Sequence, residues 1–225
     1  MQNKFGQMTE EQSSGGVGEL GFIVSSLINR IQTVTLVQVK AVNATGVAPV
    51  GTVDVQPMVA QLDGEGKAHA HGIIHNIPYF RLQGGSNAVV IDPKVGDIGM
   101  CGFCSRDISS VKANKAPSTP QSLRKFDYAD GLYFGGFLNG IPEQYIFFKD
   151  SGIDVVATGE VYIRGSKIKL DAPVETTSSL KVETTITAGG DITDNAKSGG
   201  KSMSSMRQSH NNHTHNGGPT PDIKV

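Results

Sequence analysis

The chain has 225 residues, a formal net charge of -1, 37% hydrophobic residues, 28 glycines, two cysteines and no tryptophan. So balanced a charge gives no electrostatic footprint for nucleic acid, and glycine with abundant Thr, Ser and Val favours β structure with many turns over a large conventional core. The longest apolar runs, such as Leu20 to Leu27, fall well short of the roughly 20 residues that span a bilayer.

In chain order, Met1 to Gly18 is polar, with neither a basic start nor an apolar run, so no secretory signal is predicted and synthesis in a cytoplasm is expected. Residues 1–19 read as an N-terminal arm of the kind that docks on a neighbour. Phe22 to Arg30 is apolar at helical spacing, and Ile31 to Val42 then alternates through β-branched residues, so a short helix followed by a strand is predicted. Gly51 to Leu62, Gly72 to Leu82, Val89 to Pro93 and Ile98 to Cys104 read as further short strands separated by glycine-marked turns. A small closed barrel over residues 20–149 is the economical arrangement for such strands.

Two features inside that region invite chemistry. His69, His71 and His75 would share one face of a continuous strand and could hold zinc in a metal-dependent hydrolase. The flanking Asp63 to Lys67 and Gly72 argue instead for a hairpin tip with solvated histidines. Cys101-Gly102-Phe103-Cys104 matches the C-x-x-C of thiol oxidoreductases. That motif must open a helix, whereas Val95 to Phe103 reads as a turn and a strand, so structural, reduced thiols are expected. Ser105 to Leu123 is expected to form a helical turn and a loop, and Phe126 to Phe137 to return to buried aromatic material.

After about Asp150 the texture changes. From Ile153 to Ile192, apolar residues alternate with charged or hydroxyl ones in short segments ended by Gly, Asp-Ala-Pro or Gly-Gly. One such chain has a thin apolar face that it cannot enclose alone. Three chains wound around an axis can enclose it, so residues 150–200 are read as the shaft of an intertwined trimeric β-prism. A β-sandwich within one monomer is the alternative.

In residues 201–225, His213 and His215 lie one residue apart and, on an extended backbone, project to the same side. No His, Cys or carboxylate nearby in sequence completes a tetrahedral zinc set. Three copies at a threefold axis would supply six imidazole nitrogens, an octahedral set that suits iron(II) better than zinc. A disordered polar tail is the other reading.

Several of these passages carry a family likeness. Ile74-His75-Asn76-Ile77-Pro78-Tyr79-Phe80, Gly84-Gly85, Asp92 to Gly99, Phe103 with Ser105 to Ile108, and Lys125 to Leu132 with Gly136-Phe137 resemble the N-terminal barrel of the baseplate spike proteins of contractile-tailed bacteriophages. The β-repeat and the His-Thr-His ending resemble the shaft and apex of those proteins. The resemblance covers roughly residues 20–220 and implies an all-β homotrimer: an OB-type barrel, a triple-stranded β-helix, and a tip holding one iron ion per trimer through His213 and His215. It further implies a membrane-piercing virion protein at the tail tip, bound to a hub at its N-terminal end, contacting the host outer membrane transiently and needing no catalysis. His210 falls outside the His-x-His pattern. Cys101 and Cys104 replace the apolar strand residues expected there, and Asn211-Asn212 depart from the pattern before the histidine pair. Two rival readings are a hydrolase at His69, His71 and His75, and an OB-type module binding oligosaccharide or nucleic acid. The latter normally needs basic and stacking aromatic residues, and this chain is only 6% aromatic.

Overall fold

A computed structural model of the chain describes residues 7–13 and 15–224. The chain divides into two compact units that meet in sequence at Gly159 and Glu160.

The first unit opens with α1 (Glu10–Ser13) and α2 (Val17–Ile28). Of the arm predicted for 1–19, residues 1–6 and 14 lie outside the described residues, and α2 starts inside the arm. The strands follow as β1 (Val34–Asn43), β2 (Thr52–Pro57), β3 (Gln61–Leu62), β4 (Ala68–His69), β5 (Ile74–Pro78), β6 (Leu82–Gly84), β7 (Asn87–Val89) and β8 (Ile98–Phe103). After α3 (Ser109–Asn114) come β9 (Gly131–Gly136), β10 (Tyr145–Lys149) and β11 (Gly152–Val156).

Five strands form one antiparallel sheet in the order β5-β2-β1-β8-β9. The sheet curls into a half-barrel because its edges approach: Tyr79, just past β5, bridges Tyr133 of β9 in parallel, and the Phe80 N–H donates to the Tyr133 carbonyl at 2.7 Å. The core is the inner face of this curl. Val37 and Val39, Val53 and Val55, Ile77 and Tyr79, Cys101 and Phe103, and Tyr133 are its buried residues, each on alternate positions of its strand as the two-residue period of a half-buried strand requires. A bulge between Val39 and Ala41 and another between Gly99 and Cys101 add twist to the strands that must curl.

Gly99 marks the tightest approach. A Cβ there would lie 2.3 Å from the Gly135 carbonyl oxygen and 2.3 Å from the Tyr133 ring. The oxygen is backbone and cannot swing aside, so Gly99→Ala is expected to destabilise the barrel by about 1–3 kcal/mol or more, the range for overpacked sites. Equilibrium denaturation followed by tyrosine fluorescence checks this; an unchanged midpoint would show that the two strands part freely.

Two polar clusters fasten the loops. The Arg81 guanidinium donates to the Ala48 carbonyl at 2.8 Å, the Gly46 carbonyl at 3.2 Å and Asp92 at 2.9 Å, and the Tyr79 hydroxyl also donates to Asp92, at 2.8 Å. The loop after β1 and the segment before β8 are thereby held to one buried cation. Arg124 likewise joins Asp130 at 2.6 Å and Asp107 at 2.6 Å. Hydrogen bonds from Ser109, Ser122 and Arg124 hold the Asp107 carboxyl well below the usual range, and the Arg124 bond also lowers Asp130, which is fully buried. This cluster pins the long segment between β8 and β9, where the helical turn and loop expected from sequence are found as α3 and the stretch after it.

Cys101 and Cys104 sit on and just after β8, and neither opens a helix, the next one, α3, starting at Ser109. Burial pushes the Cys101 thiol up to about 12 and, more modestly, raises Cys104 as well. Thiolate is the reactive form, so both should alkylate far more slowly at pH 7 in the native protein than after unfolding. Rapid native labelling of Cys101 by iodoacetamide, read by mass spectrometry, would revive the redox alternative.

The aromatic passage predicted as buried is so only in part: Tyr133 is buried and Tyr128 half-buried, whereas Phe134 and Phe137 are exposed. The hairpin β10–β11, closed by the two-residue turn Asp150-Ser151, carries the first unit past the boundary expected at 149/150.

The second unit has little regular structure before its C-terminal part. An isolated bridge joins Thr193 to Ser202, a short 3-10 turn spans Ala196–Ser198, and α4 runs Met203–Asn212. Among its described residues none is buried. By composition of elements the protein is predominantly β in its first unit, in line with the class expected from sequence.

Candidate metal centre

The polar sequence Met203 to Asn212 has no apolar stripe able to hold a helix down, and its start is fixed by side-chain capping instead. The Ser202 hydroxyl accepts from the Ser205 N–H at 3.2 Å. The Asp191 carboxylate accepts from the Ser204 N–H at 3.1 Å and from the Ser204 hydroxyl. An anion and a hydroxyl acceptor at the first turn satisfy donors that the helix itself leaves open, and the anion also suits the helix dipole. Hydrogen bonds from Ser202 and Ser204 push the Asp191 carboxyl down to about 2. Backbone bonds from Met203 to Ile192 at 2.8 Å and from Asp194 to Lys201 at 3.1 Å complete a small hairpin ahead of α4.

At the other end, His213 caps α4 with extended dihedrals, φ -71° and ψ 149°, while its N–H donates to the Ser209 carbonyl at 3.1 Å. The extended backbone expected at the histidine pair therefore begins at His213 itself, and Asn211-Asn212 belong to the helix. The chain then turns: Asn216 and Gly217 have φ 50° and 76°, and the Gly218 N–H donates to the His215 carbonyl at 2.9 Å. Glycine adopts that left-handed conformation at no steric cost.

The rings of His213 and His215 lie 5.1 Å apart between centroids, at 85°, and both are exposed. The Nδ1 of His213 is 2.6 Å from the His210 carbonyl oxygen. A carbonyl only accepts, so Nδ1 carries the proton, and in the neutral ring Nε2 keeps its lone pair. A backbone carbonyl fixing one ring nitrogen is the usual outer support of a metal-ligating histidine. The two imidazoles thus fit the chemistry of a ligand pair. His210, set aside on spacing, comes within 5.3 Å of the His213 ring because α4 brings residues three apart together. Among the described residues, no group of three or more His, Cys, Asp or Glu within the protomer is arranged to hold a metal ion.

The three histidines of the first unit are not brought together. The strand that would have aligned them is broken between β4 and β5. His69 pairs with Asp63 at 2.8 Å, His75 with Asp54 at 2.8 Å, and His71 lies edge-on to Tyr128 with centroids 5.6 Å apart. Those bonds hold both carboxyls below the usual range: a backbone bond from Asn76 acts first on Asp54, and the His69 bond acts first on Asp63. Each histidine has a separate partner, and no hydrolytic centre is assembled from the three.

A cleft of about 380 Å³ opens beside the half-barrel edge, walled by Phe80, Leu82, Val89, Ile91 and Phe134. Its only lining cation, Arg81, is already engaged by Asp92, which leaves no free positive charge there to meet an oligonucleotide phosphate.

No helix among the described residues is long and apolar enough to cross a membrane. Comparison with models of protein families finds no match, and a search of curated proteins finds none.

Proposed function

We propose that the chain is the homotrimeric central spike of a contractile tail baseplate, a structural virion protein that pierces the host outer membrane as the sheath contracts. The observation that carries this reading is the exposed apolar series of the second unit. Val161, Ile163, Ile168, Leu170, Val182 and Ile186 alternate with Lys, Thr, Arg and Glu, yet they are between 42% and 72% exposed. Burying an aliphatic side chain of this kind contributes about 1.5–3 kcal/mol relative to full exposure, so six per chain represent on the order of 10 kcal/mol left unrealised in a lone protomer. Three chains turning these faces to a common axis would realise it and would also pair backbone groups that have no ladder partner among the described residues of the protomer, forming a triple-stranded β-helix without free strand edges.

Two further features support the reading. The strand order, with the parallel contact between β5 and β9, agrees with an OB-type barrel, the five-stranded Greek-key arrangement. His213 and His215 would supply two of six ligands, a pair too small to hold a metal by itself among the described residues of one chain. Three copies would bring six nitrogens to one iron ion, and with its Nδ1 bonded to the His210 carbonyl, His213 would bind through Nε2. Bound there, the metal would cross-link chains at a tip too narrow for a hydrophobic core, as metals do in small domains. The barrel end would attach to a tail hub of matching symmetry. No step requires catalysis.

Analytical ultracentrifugation tests the reading at its base. A species of three times the 23.8 kDa protomer, persisting on dilution, is the expected result; a stable monomer at micromolar concentration would sink it.

A further inference from the structure

α2 presents an apolar stripe that none of the described residues buries. Val17, Leu20, Val24 and Leu27 recur at intervals of three, four and three residues, the a and d spacing of a coiled-coil seam with valine at a and leucine at d. Their exposures run from 45% at Val24 to 89% at Val17, and α2 has no buried residue. Gly18, Phe22 and Ser26, which are half-buried, lie on the opposite side of the helix. Twelve residues are marginal for a helix in water without packing on an apolar face. The N-cap, Gly16, also offers no side-chain acceptor. Something must cover the seam.

We propose that the seam is covered by the same helix of two other copies, so that α2 forms a parallel three-helix coiled coil. The proposal rests on the threefold reading above, since a rotation axis makes equivalent helices parallel. Valine at a and leucine at d alone would suit two strands. Ile23 and Ile28, at 45% and 59% exposure, flank the seam at the g and e positions and widen the stripe enough to meet two neighbours at once. A lipid surface is the poorer occupant, because helices that lie in a membrane interface carry Lys and Arg along the polar face. α2 has none, and its one charged side chain is Glu19.

The full chain carrying Leu20→Cys, and separately Glu19→Cys on the outward side, is oxidised mildly and run on a non-reducing gel, with solution mass measured alongside. Leu20 is exposed, so the substitution leaves the protomer intact, and unmodified protein gives the background from Cys101 and Cys104. The expected result is a trimer by mass in which Leu20→Cys yields covalent dimer several-fold above both Glu19→Cys and background, because only thiols whose Cα atoms lie within about 7 Å can bridge. A trimer in which Leu20→Cys links no better than Glu19→Cys overturns the coiled coil and leaves the spike reading standing. A monomeric mass removes both. Cosedimentation with phosphatidylcholine–phosphatidylglycerol vesicles that is lost in Leu20→Ser with Leu27→Ser would assign the seam to lipid and likewise overturn the proposal.

Discussion

Replacing Ile168 or Ile186 with Asp is expected to abolish trimer formation while leaving the half-barrel folded. In the protomer these side chains are 53% and 65% exposed, so a carboxylate at either position costs the lone chain almost nothing. In a threefold shaft the same change places three carboxylates at one level of the axis, where each loses its hydration and faces two like charges. An unpaired buried charge carries an effective penalty of several kcal/mol, against the roughly 1.5–3 kcal/mol that each aliphatic side chain contributes on burial. Three such penalties per trimer outweigh what the neighbouring apolar levels return. Ultracentrifugation of each variant reads the assembly, and near-ultraviolet circular dichroism of Tyr133 and its neighbours reads the barrel. A trimer of undiminished stability in both variants would mean that these faces do not pack between chains. A barrel that unfolds with them would mean that they serve a core within the protomer, as the β-sandwich alternative required.

The contrast between the two units explains which parts were legible in sequence. β1, β2 and β8 each bury one face, so their Val, Cys and Phe residues alternate and their period of two is plain. β3, β4, β6 and β7 are two or three residues long with no buried face, and so have no period to detect. In the β10–β11 hairpin, Ile153 to Val156 reads as the first segment of the shaft, whereas β10 gives no signal, for the opposite reason. Tyr145-Ile146-Phe147-Phe148 is apolar at every position, all of it exposed, so alternation gave no signal and only the short turn at Asp150-Ser151 marked it. α4 carries no helical signal because Met203 and Met206 are its only apolar residues, and they make no continuous stripe. What defines it is an acceptor contributed from Asp191, distant in sequence, together with Ser202, and of the two only the serine was a local clue. That one omission decided the geometry of the candidate centre: with α4 present, His213 sits at a helix end with its Nδ1 bound, rather than midway along an extended run.

Purified trimer is expected to contain one iron ion for every three chains, and His213→Ala combined with His215→Ala is expected to lose it entirely without changing the mass of the assembly. The variant removes the ligand pair, while the apolar faces proposed to hold the trimer lie in other residues. Imidazole must be neutral to ligate, so acid should release the metal as pH falls through and below the region near 6.5 where free histidine protonates, displaced downward by the affinity of the site. The helix that carries the pair should survive that release. The Asp191 carboxyl is held near 2, below its unfolded value. Its contribution is therefore fully present above the ordinary carboxylate range and is lost progressively as pH falls from there through about 2. Between roughly pH 6 and 4 the metal should leave while α4 remains capped, so metal content should fall with little change in helical circular dichroism. Elemental analysis across a pH series, with the spectrum recorded on the same samples, separates the two events. Metal retained in the double variant, a stoichiometry of one per chain, or no transition metal in the native trimer would each remove His213 and His215 as the ligands at the tip.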